Sequence, residues 1–299
     1  MPSLEQKQER RRIGIFYFSG TGNTLIVANL YKAAFENNDI IVDTISIEDI
    51  IENTPDFDFV KYDMMGLGHP VHAFSPPSIF LEFIETLPRL KDMDAFLFKT
   101  MGDPLFYGGS TQRIRKELKK KGIYVFHEDF LVMPSNIIID YDPGLKKQLY
   151  LTAKRKINIY TREILQGTQK LQANPAYLRL MSRMFGWMES FGAKYFGKFL
   201  RASNSCNKCG KCVQKCPVLN IQIGKDKLEF GDKCVFCMRC VYTCKRNSLT
   251  NKYMGFFIIK GGYDFKEVLK KGNFSSEFIT KNTKGYFKHF YTYLTHELY

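Results

Sequence analysis

Cysteine is absent from most of this 299-residue sequence, because none occurs before position 206 and none after position 244. Long hydrophobic runs are also missing: the longest, such as 137–139 and 256–259, are far too short to cross a bilayer. No export signal opens the chain, which argues against a secreted disulfide framework. These absences predict a protein without a transmembrane segment in a reducing, cytoplasmic setting.

The eight cysteines form one pattern, C-x2-C-x2-C-x3-C, which occurs twice with a constant offset of 28 residues. In this spacing three thiolates surround one iron–sulfur cube, and the fourth ligates the neighbouring cube. The pattern therefore predicts two 4Fe–4S clusters that exchange their fourth ligands. The first set is Cys206, Cys209, Cys212 and Cys244, and the second is Cys234, Cys237, Cys240 and Cys216.

A zinc site or a degenerate cluster is the alternative for these cysteines. Structural zinc prefers two separated Cys pairs, and three evenly spaced thiols plus a fourth overfill a tetrahedral site. The stretch resembles a bacterial-type two-cluster ferredoxin domain, with one departure: Lys245 stands where the first motif has Pro217. All four thiols of the second motif remain, so the departure concerns the local turn and not the ligands.

Acidic residues are scarce in the C-terminal half. Residues 1–165 carry 21 Lys/Arg and 22 Asp/Glu, whereas residues 166–299 carry 23 Lys/Arg and 8 Asp/Glu. Such a basic field favours a redox partner with an acidic docking surface and speeds encounter with it. For any single lysine, a solvated surface position is the alternative. No nucleic-acid-binding module is recognisable, so nucleic acid is not a predicted partner.

The N-terminal half opens with a strand pattern, IGIFYF, followed by SGTGNT and a helical pattern. A strand, a Gly- and hydroxyl-rich turn and a helix can cradle a phosphate, because the helix start offers free N–H groups and a favourable dipole. The Walker A and G-x-G-x-x-G motifs are both absent. The turn instead resembles the flavodoxin loop that holds the phosphate of FMN, although an ordinary polar turn is the alternative. Its residues are Ser19, Gly20, Thr21, Gly22, Asn23 and Thr24.

Strands alternate with helices from residue 13 to about residue 165, which predicts an α/β fold with a parallel sheet covered on both faces. The resemblance to flavodoxins implies a doubly wound five-stranded sheet of order 2-1-3-4-5, with FMN held by loops at the carboxyl ends of the strands. By position, the second loop supplies Pro70, Val71, His72, Ala73 and Phe74. The third loop supplies Thr100, Met101, Gly102, Asp103, Tyr107, Gly108 and Gly109.

These patterns predict five parts: a loose tail (1–12), a flavodoxin-like FMN domain (13–167), a helical linker (168–203), a small α+β two-cluster ferredoxin domain (204–250) and a C-terminal extension (251–299). In the linker, apolar residues recur at helical spacing beside basic ones. Such a stripe could lie on a membrane surface, but packing against the protein itself is the favoured interpretation. In the extension, residues 256–259 predict a strand.

From Ile13 to about Leu249 the chain resembles the flavodoxin–ferredoxin fusion proteins of anaerobes. The resemblance implies electron transfer between FMN and two 4Fe–4S clusters, coupling a two-electron to a one-electron partner, with no catalytic acid or base. Two alternatives stay open. One is a flavin-dependent reductase of a small substrate, with His69, His72 or Asp103 as proton donor. The other is a ferredoxin module on a flavin-free docking platform. The sequence does not decide between an electron carrier and an iron–sulfur flavoprotein oxidoreductase.

Overall fold

The fold is seen in a computed structural model that describes residues 10–72, 74–106, 111–173, 176–271 and 277–295. Most of the predicted tail lies outside these residues, as do four predicted loop residues: Ala73, Tyr107, Gly108 and Gly109. The strands are β1 (Arg12–Tyr17), β2 (Ile41–Ser46), β3 (Met64–Pro70), β4 (Met93–Met101), β5 (Ile123–Val132), β6 (Leu200–Ala202), β7 (Ile221–Ile223), β8 (Leu228–Phe230) and β9 (Leu249–Asn251). The helices are α1 (Asn23–Glu36), α2 (Ser78–Thr86), α3 (Thr111–Lys120), α4 (Pro143–Leu165), α5 (Ala176–Lys198), α6 (Lys211–Gln214), α7 (Arg239–Thr243), α8 (Phe265–Lys270) and α9 (Phe290–Thr295).

The first five strands form one parallel sheet in the order β2-β1-β3-β4-β5. Helices cover both of its faces, so the predicted flavodoxin-like α/β topology is confirmed. The order reverses between β1 and β3, and ligands of such sheets bind beyond the carboxyl ends of the strands at this point. The loops after β1, β3 and β4 all lie at that edge.

Side chains alternate between two cores on opposite faces of the sheet, as the pleat requires. Ile13, Ile15 and Phe98 contribute to the core beneath α1 and α4, whereas Phe16 and Leu67 contribute to the core beneath α2. This two-sided burial explains why the strands are nearly continuous hydrophobic runs.

Glycine in β3 makes room for large aromatic side chains in β4. A Cβ atom on Gly66 would lie 2.5 Å from the Phe96 ring, and one on Gly68 would lie 2.1 Å from the Phe98 ring. Both phenylalanines are fully buried. The sequence YDMMGLG therefore reflects a packing requirement of the adjacent strand.

The cysteine-rich domain is a complete internal duplication. Each unit contains a strand, a short helix and a second strand: β6, α6 and β7 in the first, and β8, α7 and β9 in the second. Corresponding strands begin 28 residues apart, as the cysteines do. The pairing is crossed, since β6 pairs with β9 and β7 with β8, both antiparallel. Neither unit therefore completes its own sheet. Strand β6 lies within the range predicted as a linker.

The C-terminal extension packs on the flavodoxin-like domain. Phe290, Tyr293 and Leu294 share a buried cluster with Val132 and Leu149, and the Val132 amide donates to the Tyr293 hydroxyl (3.0 Å). The strand predicted at 256–259 is wrong: Gly255–Phe257 form a turn of 3-10 helix. Their aromatic side chains pack as loop residues and have no strand partner among the described residues. No helix in the described part of the chain is long and apolar enough to cross a membrane.

We predict that Gly68→Ala lowers the free energy of unfolding by about 1–3 kcal/mol, because the added methyl group meets a buried ring that has no room to move. Urea unfolding followed by circular dichroism measures this change. Gly255→Ala is the matched control, because its Cβ would meet no atom within 4 Å. Equal unfolding midpoints for the two variants would contradict the packing argument.

Candidate functional site

The loop between β1 and α1 has the form expected of an anion-binding turn. Gly22 adopts a left-handed conformation (φ 101°) immediately before α1, where N–H groups lack helical acceptors. The Ser19 hydroxyl accepts from the Leu25 amide (3.2 Å). The Thr24 hydroxyl lies 2.8 Å from the Thr100 hydroxyl, which links the first loop to the third. Both side chains are buried at the edge of the sheet.

The Asn23 and Thr21 side chains are engaged by other parts of the protein. Asn23 donates to the Pro134 carbonyl (2.8 Å) and accepts from the Tyr263 hydroxyl (2.6 Å), while Thr21 accepts from Asn136 (2.9 Å). Asn23 therefore shapes the loop, because its amide oxygen and nitrogen both have protein partners. The Thr21 hydroxyl keeps its own proton for a further acceptor.

A cavity of about 540 Å³ opens beside this loop and collects most of the predicted flavin residues. Its size suits a cofactor of the flavin class. Gly22 is not on its wall, and four predicted residues lie outside the described chain. The predicted residues that line it are Ser19, Gly20, Thr21, Asn23, Thr24, Pro70, Val71, His72, Phe74, Thr100, Met101, Gly102 and Asp103.

Sequence reasoning missed about half of the cavity wall. The missing parts come from the segment after β5, from α5, from the cysteine-rich domain and from the extension. Of these parts, only the segment after β5 could have been suspected from the sequence, because a minimal flavodoxin does not explain the stretch EDFLVMPSNIII. The missed residues are Pro134, Ser135, Asn136, Ile137, Ile138, Ile139, Tyr141, Phe185, Met188, Gly192, Ala193, Phe236, Met254, Phe257 and Tyr286.

Helix α5 is fastened to the second loop through Ser182. The Ser182 hydroxyl donates to the Phe74 carbonyl (2.9 Å), and the Ser75 hydroxyl donates to the Ser182 carbonyl (3.0 Å). Phe74 has a left-handed backbone (φ 71°), and its ring lies 5.3 Å from that of Phe185. Such a conformation is costly outside glycine and persists where the surroundings impose it. Here α5 imposes it.

Asp103 joins the third loop to the extension. Its carboxylate accepts from the Tyr286 hydroxyl (2.5 Å), and His289 Nε2 lies 3.0 and 2.9 Å from its two oxygens. Burial, followed by the bond to Asp103, raises the pKa of Tyr286 to about 12. His69 behaves differently: its full burial lowers its pKa to about 3 and it does not line the cavity. Of the three proton-donor candidates, His72 and Asp103 face the cavity.

The four cysteines predicted for the first cluster line one cavity of about 200 Å³. Burial raises the pKa of the Cys212 thiol, and the nearby Cys206 and Cys244 thiols raise it further. Cys244 belongs to the second motif, so this cavity contains the crossed arrangement that the spacing predicts. The ligand assignment stays a prediction, and this placement supports it.

The other four cysteines also lie together. Burial raises the pKa of the Cys240 thiol strongly, and the neighbouring thiols of Cys237, Cys234 and Cys216 add to the rise. No three His, Cys, Asp or Glu side chains of the described residues are grouped closely enough to hold a single metal ion. The ligands of a cubane cluster need not converge on one ion, because each of the four thiolates bonds a separate iron.

The two motifs share one backbone conformation, position by position. Left-handed φ angles occur at Lys208 and Phe236, at Gly210 and Met238, and at Leu219 and Asn247, each pair 28 residues apart. The fourth thiol of each motif also accepts a backbone N–H bond at the same relative position, Asn220 to Cys216 and Ser248 to Cys244 (3.2 and 3.3 Å). Such bonds stabilise a thiolate. The Lys245 substitution therefore leaves the turn geometry intact.

The loop between β1 and α1 and the second cysteine motif are in direct contact. A Cβ atom on Gly20 would lie 2.3 Å from the Cys237 carbonyl oxygen. Arg239 closes this contact with a two-pronged ion pair to Glu48 (2.5 and 2.6 Å) and bonds to the Ser19 and Gly20 carbonyls (2.7 and 3.3 Å). Its guanidinium therefore joins the turn after β2, the β1–α1 loop and α7.

We predict that Arg239→Met destabilises the protein by about 3 kcal/mol, because Glu48, whose side chain is only 19% exposed, loses its counter-charge. The midpoint of urea unfolding of the cofactor-loaded protein measures this change. Glu48→Gln tests the same pair without touching the cysteine motif. Glu267→Gln is the control, since its pair with Lys270 is solvent-exposed. An equal effect at Glu267 would argue against the clamp.

Comparison with known proteins agrees with the organisation of the cysteine-rich domain. Residues 198–245 match the family model of the 4Fe-4S dicluster domain. A ferredoxin of Methanothermococcus thermolithotrophicus is 38% identical over 47 residues, which are 15% of this chain and 78% of that ferredoxin.

Solved structures similar to the N-terminal half include two proteins whose TM-scores are both below 0.4. Rubredoxin oxygen:oxidoreductase from the anaerobe Desulfovibrio gigas shares 14% identity at a TM-score of 0.39, over 53% of this chain and 37% of that protein, so the likeness spans little more than a third of its length. The two-electron reduced flavodoxin of Megasphaera elsdenii shares 26% identity at a TM-score of 0.34, over 48% of this chain and 98% of the flavodoxin. The flavodoxin-like topology therefore rests on the strand order of this chain itself. Through residues 198–245 the chain belongs to the 4Fe-4S dicluster ferredoxin family, joined here to a domain of flavodoxin-like topology.

Proposed function

We propose that this chain is an electron-transfer protein that carries FMN in the 540 Å³ cavity and two 4Fe–4S clusters on its eight cysteines. The contact between Gly20 and Cys237 is the observation that carries the proposal. It brings a phosphate-binding loop and a cluster-binding motif to within van der Waals distance. A protein that used the two sites independently would have no need for this contact.

The residues of the cavity fit a flavin mononucleotide. Hydroxyl groups of Ser19, Thr21 and Thr24 stand at the start of α1, where N–H groups and the helix dipole favour a phosphate. Among the described residues, no lysine or arginine lines the cavity, so the anion would be held by neutral donors. The remaining wall is largely apolar and includes aromatic rings such as Phe74 and Phe236, which suit a flat heterocycle.

The geometry favours a fixed order of the redox centres. When bound, FMN exchanges electrons in pairs or singly, and each cluster exchanges one at a time. Phe236 lines the flavin cavity and stands between Cys234 and Cys237 in the sequence. The cluster of Cys216, Cys234, Cys237 and Cys240 would therefore be the flavin's immediate neighbour. The other cluster would be the outer one.

The surroundings of the outer cysteines suit an acidic redox partner. Cys209 is exposed, and four basic side chains line the 200 Å³ cavity that holds the cysteines of the outer cluster: Lys208, Lys211, Lys245 and Arg246. Opposite charge on a partner would steer it to this face and speed association.

A flavin-dependent reductase is a second candidate, and the Asp103 group favours it. Asp103 faces the cavity, while His289 reaches it from the solvent side with a partly exposed ring. A carboxylate and imidazole so placed can hold and pass a proton. Steady turnover of a small substrate by the reduced protein, lost in Asp103→Asn, would favour this version over a pure carrier.

We predict that Thr21→Ala combined with Thr24→Ala weakens FMN binding at least about tenfold, because hydrogen bonds to a charged group contribute about 1.5–3 kcal/mol each. Anaerobically purified wild-type protein should contain about eight iron, eight sulfide and one FMN per chain. The double variant should keep its iron and lose FMN. Thr250→Ala, on an exposed position of β9, is the control. Unchanged flavin content in the double variant, or eight iron without flavin in the wild type, would remove the flavin from the proposal.

We also predict that Cys216→Ala damages the cluster of the second motif and not that of its own motif. Iron content should fall from about eight toward four, and the lost electron paramagnetic resonance signal should match the one lost in Cys234→Ala. Cys209→Ala is the matched reference for the other cluster. If Cys216→Ala instead loses the same signal as Cys209→Ala, the crossed ligand assignment is wrong.

A further inference from the structure

Helix α5 turns an unusually apolar face to the solvent. Tyr177, Leu180 and Trp187 are 61%, 61% and 71% exposed, and other large apolar side chains continue the series. With 3.6 residues per turn, these positions fall within about a third of the helix circumference. We name this face the outer stripe of α5; it consists of Tyr177, Leu180, Met184, Trp187, Phe191 and Tyr195.

The sequence favoured packing of this helix against the protein itself, and the structure divides its residues between two faces. Ala193 and Phe196 are buried and Phe185 lies in the flavin cavity, so the inward face is accounted for. An exposed apolar surface of this length marks an interaction site.

Aromatic rings extend the outer stripe beyond the helix. Ring centroids of Trp187 and Phe191 are 6.0 Å apart, those of Phe191 and Tyr195 are 4.6 Å apart, and those of Tyr195 and Phe199 are 6.0 Å apart. The Phe199 ring then lies 4.9 Å from that of Tyr253, which is itself 58% exposed. The result is one continuous row of rings from α5 into the extension.

Positive charge borders the same face. Arg183 and Lys194 project beside the outer stripe, both exposed, and Lys198 lies at its end. Residues 176–201 contain five basic residues and a single acidic one, Glu189. A groove of about 1400 Å³ between α5 and α3 adjoins the stripe at Leu180 and Trp187. Its charged lining is Arg113, Arg115, Lys116, Lys119 and a single carboxylate, Glu117, while Arg113 and Arg115 also pair with Glu85 and Glu128.

We propose that α5 docks this protein on an anionic membrane surface, with the outer stripe in the interface and the basic border on lipid headgroups. Interfacial helices combine a face of Trp, Phe and Leu with Lys and Arg beside it. Tyr and Trp rings prefer the boundary between headgroups and acyl chains. Long basic side chains can reach the phosphates while their stems stay apolar.

Charge argues against a second copy as the occupant of this face. A two-fold interface would bring the same patch of each copy together, and with it the two basic borders. Like charges would then oppose the association. An anionic lipid surface offers the opposite sign along the whole length of the helix and does not require a complementary groove.

The single tryptophan of the chain allows a direct test, because Trp187 lies in the outer stripe. The cofactor-loaded protein is mixed with vesicles made of equal parts phosphatidylglycerol and phosphatidylcholine, or of phosphatidylcholine alone. We expect co-sedimentation and a blue shift of Trp187 emission with the anionic vesicles only, both lost at high salt. Failure to bind the anionic vesicles, or equal binding to neutral ones, overturns the proposal.

Variants separate the two contributions. Phe191→Ser with Tyr195→Ser should weaken binding about tenfold or more, whereas Val60→Ser, at a still more exposed apolar site elsewhere, should not. Arg183→Glu with Lys194→Glu should abolish the preference for anionic lipid, and exposed Lys154→Glu with Lys281→Glu should keep it. Dimerisation that depends on Phe191 and Tyr195, or binding confined to an acidic protein, would assign the face to that occupant instead. Flavin and iron contents should be unchanged in every variant, which separates this test from that of the proposed function.

Discussion

The close approach of the Gly20 backbone to the Cys237 carbonyl is the constraint on which the rest of the molecule depends. Only glycine allows it, since a Cβ would overlap a backbone atom that is itself held within a cysteine motif. Arg239 then secures the approach with donors to two carbonyls and to Glu48. This ion pair is largely shielded from water, so the loss of either partner would leave the other charge uncompensated.

Duplication explains how the cysteine-rich domain holds together with so small a core. Each unit lends a strand to the other, so β6 with β9 and β7 with β8 close the structure only when both units are present. The predicted exchange of the fourth cysteine ligands follows the same rule. The crossed strand pairing and the crossed grouping of thiols are thus compatible with each other. The left-handed residues at equivalent positions show that the two units have the same backbone conformation around their cysteines.

The sequence predicted what is local or periodic. Strand and helix alternation led to the parallel sheet, the resemblance to flavodoxins led to its strand order, and the cysteine spacing led to two groups of four thiols. What it could not provide is where remote segments meet. Phe257 and Tyr286 reach the cavity from a part of the chain with no cofactor motif, and Phe236 reaches it from within a cysteine motif. Residues 256–259 look like a strand because they are apolar, but their rings pack in a loop. The outward face of α5 was missed for a related reason: periodicity reveals an apolar face and does not tell which way it points.

The cavity of the flavodoxin-like domain is walled by segments from widely separated parts of the chain, from Ser19 near the beginning to Tyr286 near the end. Ribosomes deliver these parts in order, and domains tend to fold as they emerge. The parallel sheet can assemble once β5 has been made, yet the cavity still lacks α5, Phe236, Met254 and Tyr286 at that moment. During synthesis the cavity is therefore open on one side, and cofactor insertion can precede closure by these later segments.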